Sequence, residues 1–223
     1  MIFSFVIISL PLFLAVLDSN VILKEWGLIS ILIIGLAILT MIIDFNNKAP
    51  RSKEIALIVV LSAMTAALRL PFAFIPNVQP CTFLIICTGV AFGSGAGFMV
   101  GIMTPLISNL FLGHGPWTPL QMYSWGIIGG ISGLFKFNPE ISRWKLGALG
   151  IFSGYFYGII MNIWFWYTFL YPQNLTTFAV AEIQGLYFDT LHAIGNFAFL
   201  TILGNRTLKI FHDLKEKFGY RFA

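Results

Sequence analysis

The sequence predicts an all-α, polytopic bundle of membrane-spanning helices. Three observations carry that prediction. Hydrophobic residues make up 58% of the 223-residue chain and charged residues only 10%, with a mean hydropathy of +0.87, a composition typical of bilayer-embedded proteins. The apolar residues fall into eight stretches, and a helix of about 20 mostly apolar residues crosses the ~30 Å hydrocarbon core. Finally, eleven of the thirteen Lys and Arg residues lie where one side of a membrane can hold them all, leaving only Lys24 and Arg69.

Met1–Leu17 and Gly27–Ile43 form an N-terminal pair. Met1–Leu17 lacks a basic n-region and ends in Leu-Asp-Ser-Asn rather than small residues, so it reads as an uncleaved first helix and not a signal peptide. The pair has almost no polar residues between its ends. It therefore reads as a lipid-facing extension, residues 1–49, on a six-helix core, residues 50–223. The boundary falls in Phe45–Ser52, with Asn46, Asn47, Lys48 and Pro50.

The core opens with Ile55–Ile75, preceded by Lys48, Arg51 and Lys53. Thr82–Gly93 and Gly97–Leu112 are short, and the turn between them, Gly93-Ser-Gly-Ala-Gly97, has no charge. They are either two shortened or tilted crossings, which their combined length favours, or a re-entrant hairpin. Pro119–Phe135 places a proline in its first turn, where the missing N–H costs nothing, with Thr118 before it as N-cap. Lys136, Arg143 and Lys145 separate it from Leu146–Leu170. Leu186–Leu208 comes last, followed by Lys209, Lys215, Lys217 and Arg221.

Basic flanks resist translocation. With both termini cytoplasmic, Phe45–Glu54, Lys136–Lys145 and the tail all lie inside, as expected of a multi-pass plasma-membrane protein. Asp18–Trp26, Pro76–Cys81, Gly113–Thr118 and Tyr171–Gly185 then face outward with one basic residue between them, Lys24.

Several functions are excluded by what is missing. There is no Walker A loop, no dinucleotide fingerprint, and no His-Glu-x-x-His or paired-cysteine metal site. Cys81 and Cys87 are too few and too awkwardly spaced for a metal or disulfide framework and read as packing residues. No soluble domain, cofactor, nucleic-acid partner or enzymatic activity is indicated. The glycosylation-like triplets at Asn174 and Asn205 carry no weight. Uphill transport would need an ion gradient or a partner ATPase.

Four polar clusters gather in the predicted outer half. Ser108–Trp125 contains Gly113, Gly115, Pro116 and Pro119, so the chain must turn there. Asn109, His114, Trp117 and Gln121 converge at its mouth, and Gln121 shares a helix face with Trp125. Asp189, His192 and Asn196 lie on one stripe of the last helix. A charge at that depth faces protein or a water-filled cavity; Asp189 reads as a solute contact or as a structural partner of Arg69, and the two are compatible, since the pair could line a site. The turn Pro76-Asn-Val-Gln-Pro80, held rigid by its prolines, offers Asn77 and Gln79. Asn162 and Trp166 are four apart on the preceding helix. Polar groups with aromatic walls suit a small-molecule pocket. The inner half is rich in small residues. Ala63 and Ala67 give one helix a flat stripe that packs either within the monomer or against a partner's helix.

These residues resemble the substrate-binding S-component of energy-coupling factor (ECF) transporters. The likeness spans about Ala49 to Arg206. It rests on the Pro76–Pro80 turn, on Gly93-Ser-Gly-Ala-Gly-Phe-Met-Val-Gly101, on the Asp189-x-x-His192-Ala-x-x-Asn196 stripe, and most strongly on Asn109-Leu-Phe-Leu-Gly-His-Gly-Pro-Trp-Thr-Pro-Leu-Gln-Met122. The resemblance implies capture of a vitamin or related micronutrient from outside by six helices. Ala63 and Ala67 would dock on a membrane T-component, two partner ATPases would supply energy, and the subunit would topple to release its cargo. The Gly-Pro-Trp-Thr-Pro run is similar to that of S-components grouped with cobalamin uptake, ahead of another vitamin or nucleobase-like cargo. The N-terminal pair departs from the six-helix pattern. A competing expectation is a proton- or sodium-coupled carrier with Asp189 and His192 as its relay. An intramembrane enzyme built on the same two residues lacks an identifiable nucleophile.

Overall fold

The structure, a computed structural model, describes residues 52–135, 138 and 141–220, with positions 35, 39 and 43 besides. Apart from those three positions, the predicted N-terminal pair lies outside the described residues. The rest is helical, and no strand occurs among the described residues. Six helices run in sequence: α1 Ser52–Arg69, α2 Cys81–Phe92, α3 Ser94–Leu112, α4 Thr118–Ser132, α5 Arg143–Phe169 and α6 Leu175–Phe218. A 3-10 turn, Leu70–Phe72, follows α1 where Pro71 enters. Among the described residues, α1 with this turn, α3, α5 and α6 are long and apolar enough to cross a membrane.

Contacts at the two ends show how the helices alternate. At one end Lys215 Nζ donates to the Ala91 carbonyl at 3.0 Å, the Phe92 and Tyr220 rings meet at 5.1 Å, and Ser94 lies against Gly133. At the other, Asn109 bonds Thr118 and Thr82 bonds His192. The first is the basic end, where Lys53, Arg143, Lys145, Lys215 and Lys217 gather. Between these ends α2 and α3 run antiparallel to each other.

With 12 residues, α2 is only about 18 Å long at 1.5 Å per residue. Every one of its residues is buried, so protein rather than lipid surrounds it. Glycines make this central position possible. A Cβ on Gly97 would strike the Gly129 carbonyl, and one on Gly101 would strike the Trp125 carbonyl. Backbones of α3 and α4 therefore touch directly, a contact that small residues permit in membranes. A second glycine row on α5 receives α6, its backbone at Gly150 and Gly154 and its side chains at Gly147 and Gly158.

The last helix is much longer than the predicted span Leu186–Leu208. At 44 residues it extends about 66 Å, roughly twice the hydrocarbon core. The expected outer loop Tyr171–Gly185 shrinks accordingly. A capping box starts α6: Thr177 N donates to Asn174 Oδ1 at 2.9 Å and Asn174 N to Thr177 Oγ1 at 3.2 Å. Gly219, with φ of 59°, ends it, glycine being the residue that takes this left-handed conformation without strain. Hydropathy marks where lipid meets a helix, not where the helix stops.

Candidate functional site

Arg69, at the end of α1, is 7% exposed. Its Nε donates to Gln79 Oε1 at 2.8 Å, and its Nη1 donates to Ser108 Oγ and Asn109 Oδ1, both at 2.7 Å. The guanidinium lies 5.0 Å from the centre of the Trp125 ring. A planar cation suits this arrangement, because its fork bonds in-plane acceptors while its face meets an indole. The expected Arg69–Asp189 pair is therefore not made. The fixed reach of the fork turns it toward α3 and the Pro76–Pro80 turn, away from α6.

From Asn109 the bonds continue inward. Its Nδ2 donates to Gln121 Oε1 at 2.8 Å and Thr118 Oγ1 at 3.0 Å, and Gln121 Nε2 donates to the Tyr157 hydroxyl at 3.1 Å. Thr118 therefore sits at the first position of α4 without capping it; its hydroxyl is engaged by Asn109. Tyr157 stacks on Trp125 at 4.7 Å and meets His192 edge-on at 5.0 Å. Trp125 Nε1 donates to Thr82 Oγ1 at 2.9 Å, and the same Thr82 hydroxyl bonds His192 Nε2 at 2.8 Å. All six helices are tied together by this buried polar layer. Its groups satisfy one another, as buried polar groups must.

Above the layer, toward the end away from the basic residues, lies a cavity of about 510 Å³. Gln121 and Tyr157 belong to both layer and cavity. Asn77 and Trp117 come from the connecting turns. The α5 wall presents Met161, Asn162, Trp164 and Phe165, and the α6 wall Gln184, Phe188 and Asp189. Trp117 and Trp164 meet edge-to-face at 5.8 Å. Asn162 Nδ2 donates to Asp189 Oδ2 at 2.8 Å and lies 3.4 Å from Glu182 Oε2.

The thirteen residues expected at a binding site thus divide three ways. Asn77, Trp117, Gln121, Asn162 and Asp189 line the cavity. Arg69, Gln79, Asn109, Trp125 and His192 build the layer around its floor. The remaining three lie apart from both. His114 is exposed at the mouth, 3.5 Å from the Thr118 hydroxyl. Trp166 donates to Thr177 Oγ1 at 2.9 Å and so ties α5 to the first turn of α6. Asn196 is fully buried against the Gly150 carbonyl at 3.5 Å. Conversely, Tyr157, Met161, Trp164, Phe165, Gln184 and Phe188 line the cavity without having been singled out. Their one signal was helical spacing, with Tyr157, Met161 and Trp164 on a single α5 stripe, a pattern shared by ordinary packing.

The model of the ECF transporter substrate-specific component family matches residues 53–208, which contain the described bundle. The chain belongs to this family. No curated protein and no solved structure matches it. As an S-component, it is a multi-pass membrane protein and the substrate-specific subunit of an ECF transporter. The family is one of transport subunits and not an enzyme class. Among the described residues of this S-component, no group of His, Cys, Asp and Glu could hold a metal ion, and both cysteines are buried and unbonded to each other.

Proposed function

We propose that this S-component captures a compact vitamin or related micronutrient, such as a nucleobase-like compound, in the cavity above the Arg69–His192 layer. The carrying observation is the cavity itself: about 510 Å³, aromatic-walled, with convergent polar groups, at the end of the bundle remote from the basic residues. Basic segments stay cytoplasmic, which supports an outward-facing cavity and cytoplasmic termini. The Gly-Pro-Trp-Thr-Pro likeness suggests a cobalamin-like cargo. The cavity supports a smaller one, since volumes of ~300–1,000 Å³ enclose drug-sized ligands and a corrinoid with its nucleotide tail exceeds these.

Transport on this reading draws energy from a T-component and two ATPases, for which α1 supplies the docking face. Ala63 and Ala67 are exposed there, beside Val59 and Val60, which supports docking over packing within the monomer. Asp189 and His192 hold different partners, Asn162 and Thr82, so no direct bond links them into a relay. Mass spectrometry of small molecules retained by the purified protein tests the proposal, with uptake measured when all partners and ATP are present. Solute accumulation by vesicles holding this chain alone, driven by a proton gradient, would overturn it.

A further inference from the structure

The cavity walls carry acidic charge without a basic counterpart. Asp189 lines the cavity although only 6% exposed. Its Oδ2 accepts from Asn162, its one hydrogen-bond partner among the described residues. Glu182 stands behind Asn162, half-buried, and its Oε1 is shielded from solvent with no hydrogen-bond partner. Among the described residues, no Lys, Arg or His contributes to the lining. The guanidinium of Arg69 is directed at Gln79, Ser108 and Asn109 beneath the floor. When ionised, two carboxylates beside the cavity against one cation under it leave an excess of one negative charge. Buried charges of this kind are stable only when paired.

The rest of the cavity suits a cation as well. Trp117, Trp164, Phe165 and Phe188 supply aromatic faces and edges, and aromatic faces attract cations most strongly where water is excluded. An inorganic ion would use the carboxylate and leave these walls empty. A ring-bearing cation uses both.

We infer that the cargo is a compact organic cation, a one- or two-ring compound with a positively charged nitrogen held at Asp189. This inference rests on the cavity being the capture site. Asp189 makes the contact, Glu182 adds field from behind Asn162, and the rings stack on the indole and phenyl walls.

The test uses the purified full chain in detergent and three matched probe sets: N-alkylpyridinium or thiazolium compounds of one or two rings, uncharged ring analogues of the same size, and carboxylated analogues. Tryptophan fluorescence and thermal shift report binding. The cations are expected to bind about thirtyfold or more tightly than their uncharged analogues, the range for a desolvated charge pair. Asp189→Asn, which keeps the shape and the Asn162 contact, should abolish the preference for the cations over their uncharged analogues. Glu182→Gln should reduce the preference by a smaller factor, and it covers the case in which Asp189→Asn does not fold. Equal binding of all three sets, tightest binding of the carboxylated set, or an unchanged preference in both variants would overturn the inference while leaving the capture site standing. Binding of no set, together with failure of partner subunits to co-purify, would instead sink the proposed function.

Discussion

Asn162 and Asp189 meet across α5 and α6, each lodged over a glycine of the opposite helix. Asp189 lies where Gly158 has no side chain, and Asn162 lies where Gly185 has none. The 2.8 Å bond between them therefore depends on two absent methyl groups as much as on the polar atoms.

Substituting Gly158→Val tests that dependence. Its Cβ would overlap the Asp189 carboxylate, so either the side chain or α6 must move. Overpacking of this kind costs about 1–3 kcal/mol. We expect a lower midpoint of thermal unfolding in detergent and at least a tenfold loss of cargo affinity. An unchanged midpoint with full binding would show that α5 and α6 are not so closely packed.

Arg69→Met removes the donor that Gln79, Ser108 and Asn109 share. Leaving buried acceptors unsatisfied costs about 1–3 kcal/mol each, so destabilisation by several kcal/mol is expected in denaturant titrations. Arg69→Lys should recover less than half of it, because an ammonium lacks the fork that reaches Nε and Nη1 partners together. Full rescue by Lys would mean that charge alone matters.

The mouth should separate two residues that the sequence presents side by side. Trp117 lines the cavity, whereas His114 is exposed at the rim. Trp117→Ala is expected to weaken cargo binding about tenfold, in keeping with the loss of one aromatic contact. His114→Ala should change it less than twofold in the same isothermal titration. The reverse order would move the binding site out to the loop.

On α1, Ala63→Trp and Ala67→Trp place bulk on an exposed face and disturb little within the monomer. Solute binding and thermal stability should remain at wild-type values. Co-purification with the T-component and ATPases should be lost, and ATP-dependent uptake with it. Assembly at normal yield in both variants would remove this face from the docking surface.

Much of the architecture was open to sequence reasoning because it follows from transfer energetics. Apolar stretches marked the helices, and Gly113, Pro116 and Pro119 marked the break between α3 and α4. Of the thirteen side chains picked out in the sequence, ten stand at the cavity or in the layer beneath it, while His114, Trp166 and Asn196 lie apart. Harder to read were the helix limits. In the stretch from Leu175 to Gly185, Thr, Glu and Gln interrupt the hydropathy, yet they interrupt no hydrogen bond, so α6 simply continues. The glycine row of α5 carried a four-residue rhythm in the sequence, but nothing there says which helix it receives.

Composition, charge placement and motif spacing determined by themselves that the chain is a membrane bundle, how its helices alternate, and which family it resembles. Each of these depends on a single segment and its solvent. Only the tertiary structure decided that Arg69 turns to Gln79, Ser108 and Asn109 rather than Asp189, and that Asp189 is left beside a cavity with Asn162. Which acceptor a buried guanidinium reaches depends on rotations and separations between helices, set by glycine contacts such as Gly97–Gly129 and Gly158–Asp189. Those contacts are properties of pairs of segments, and no one segment encodes them.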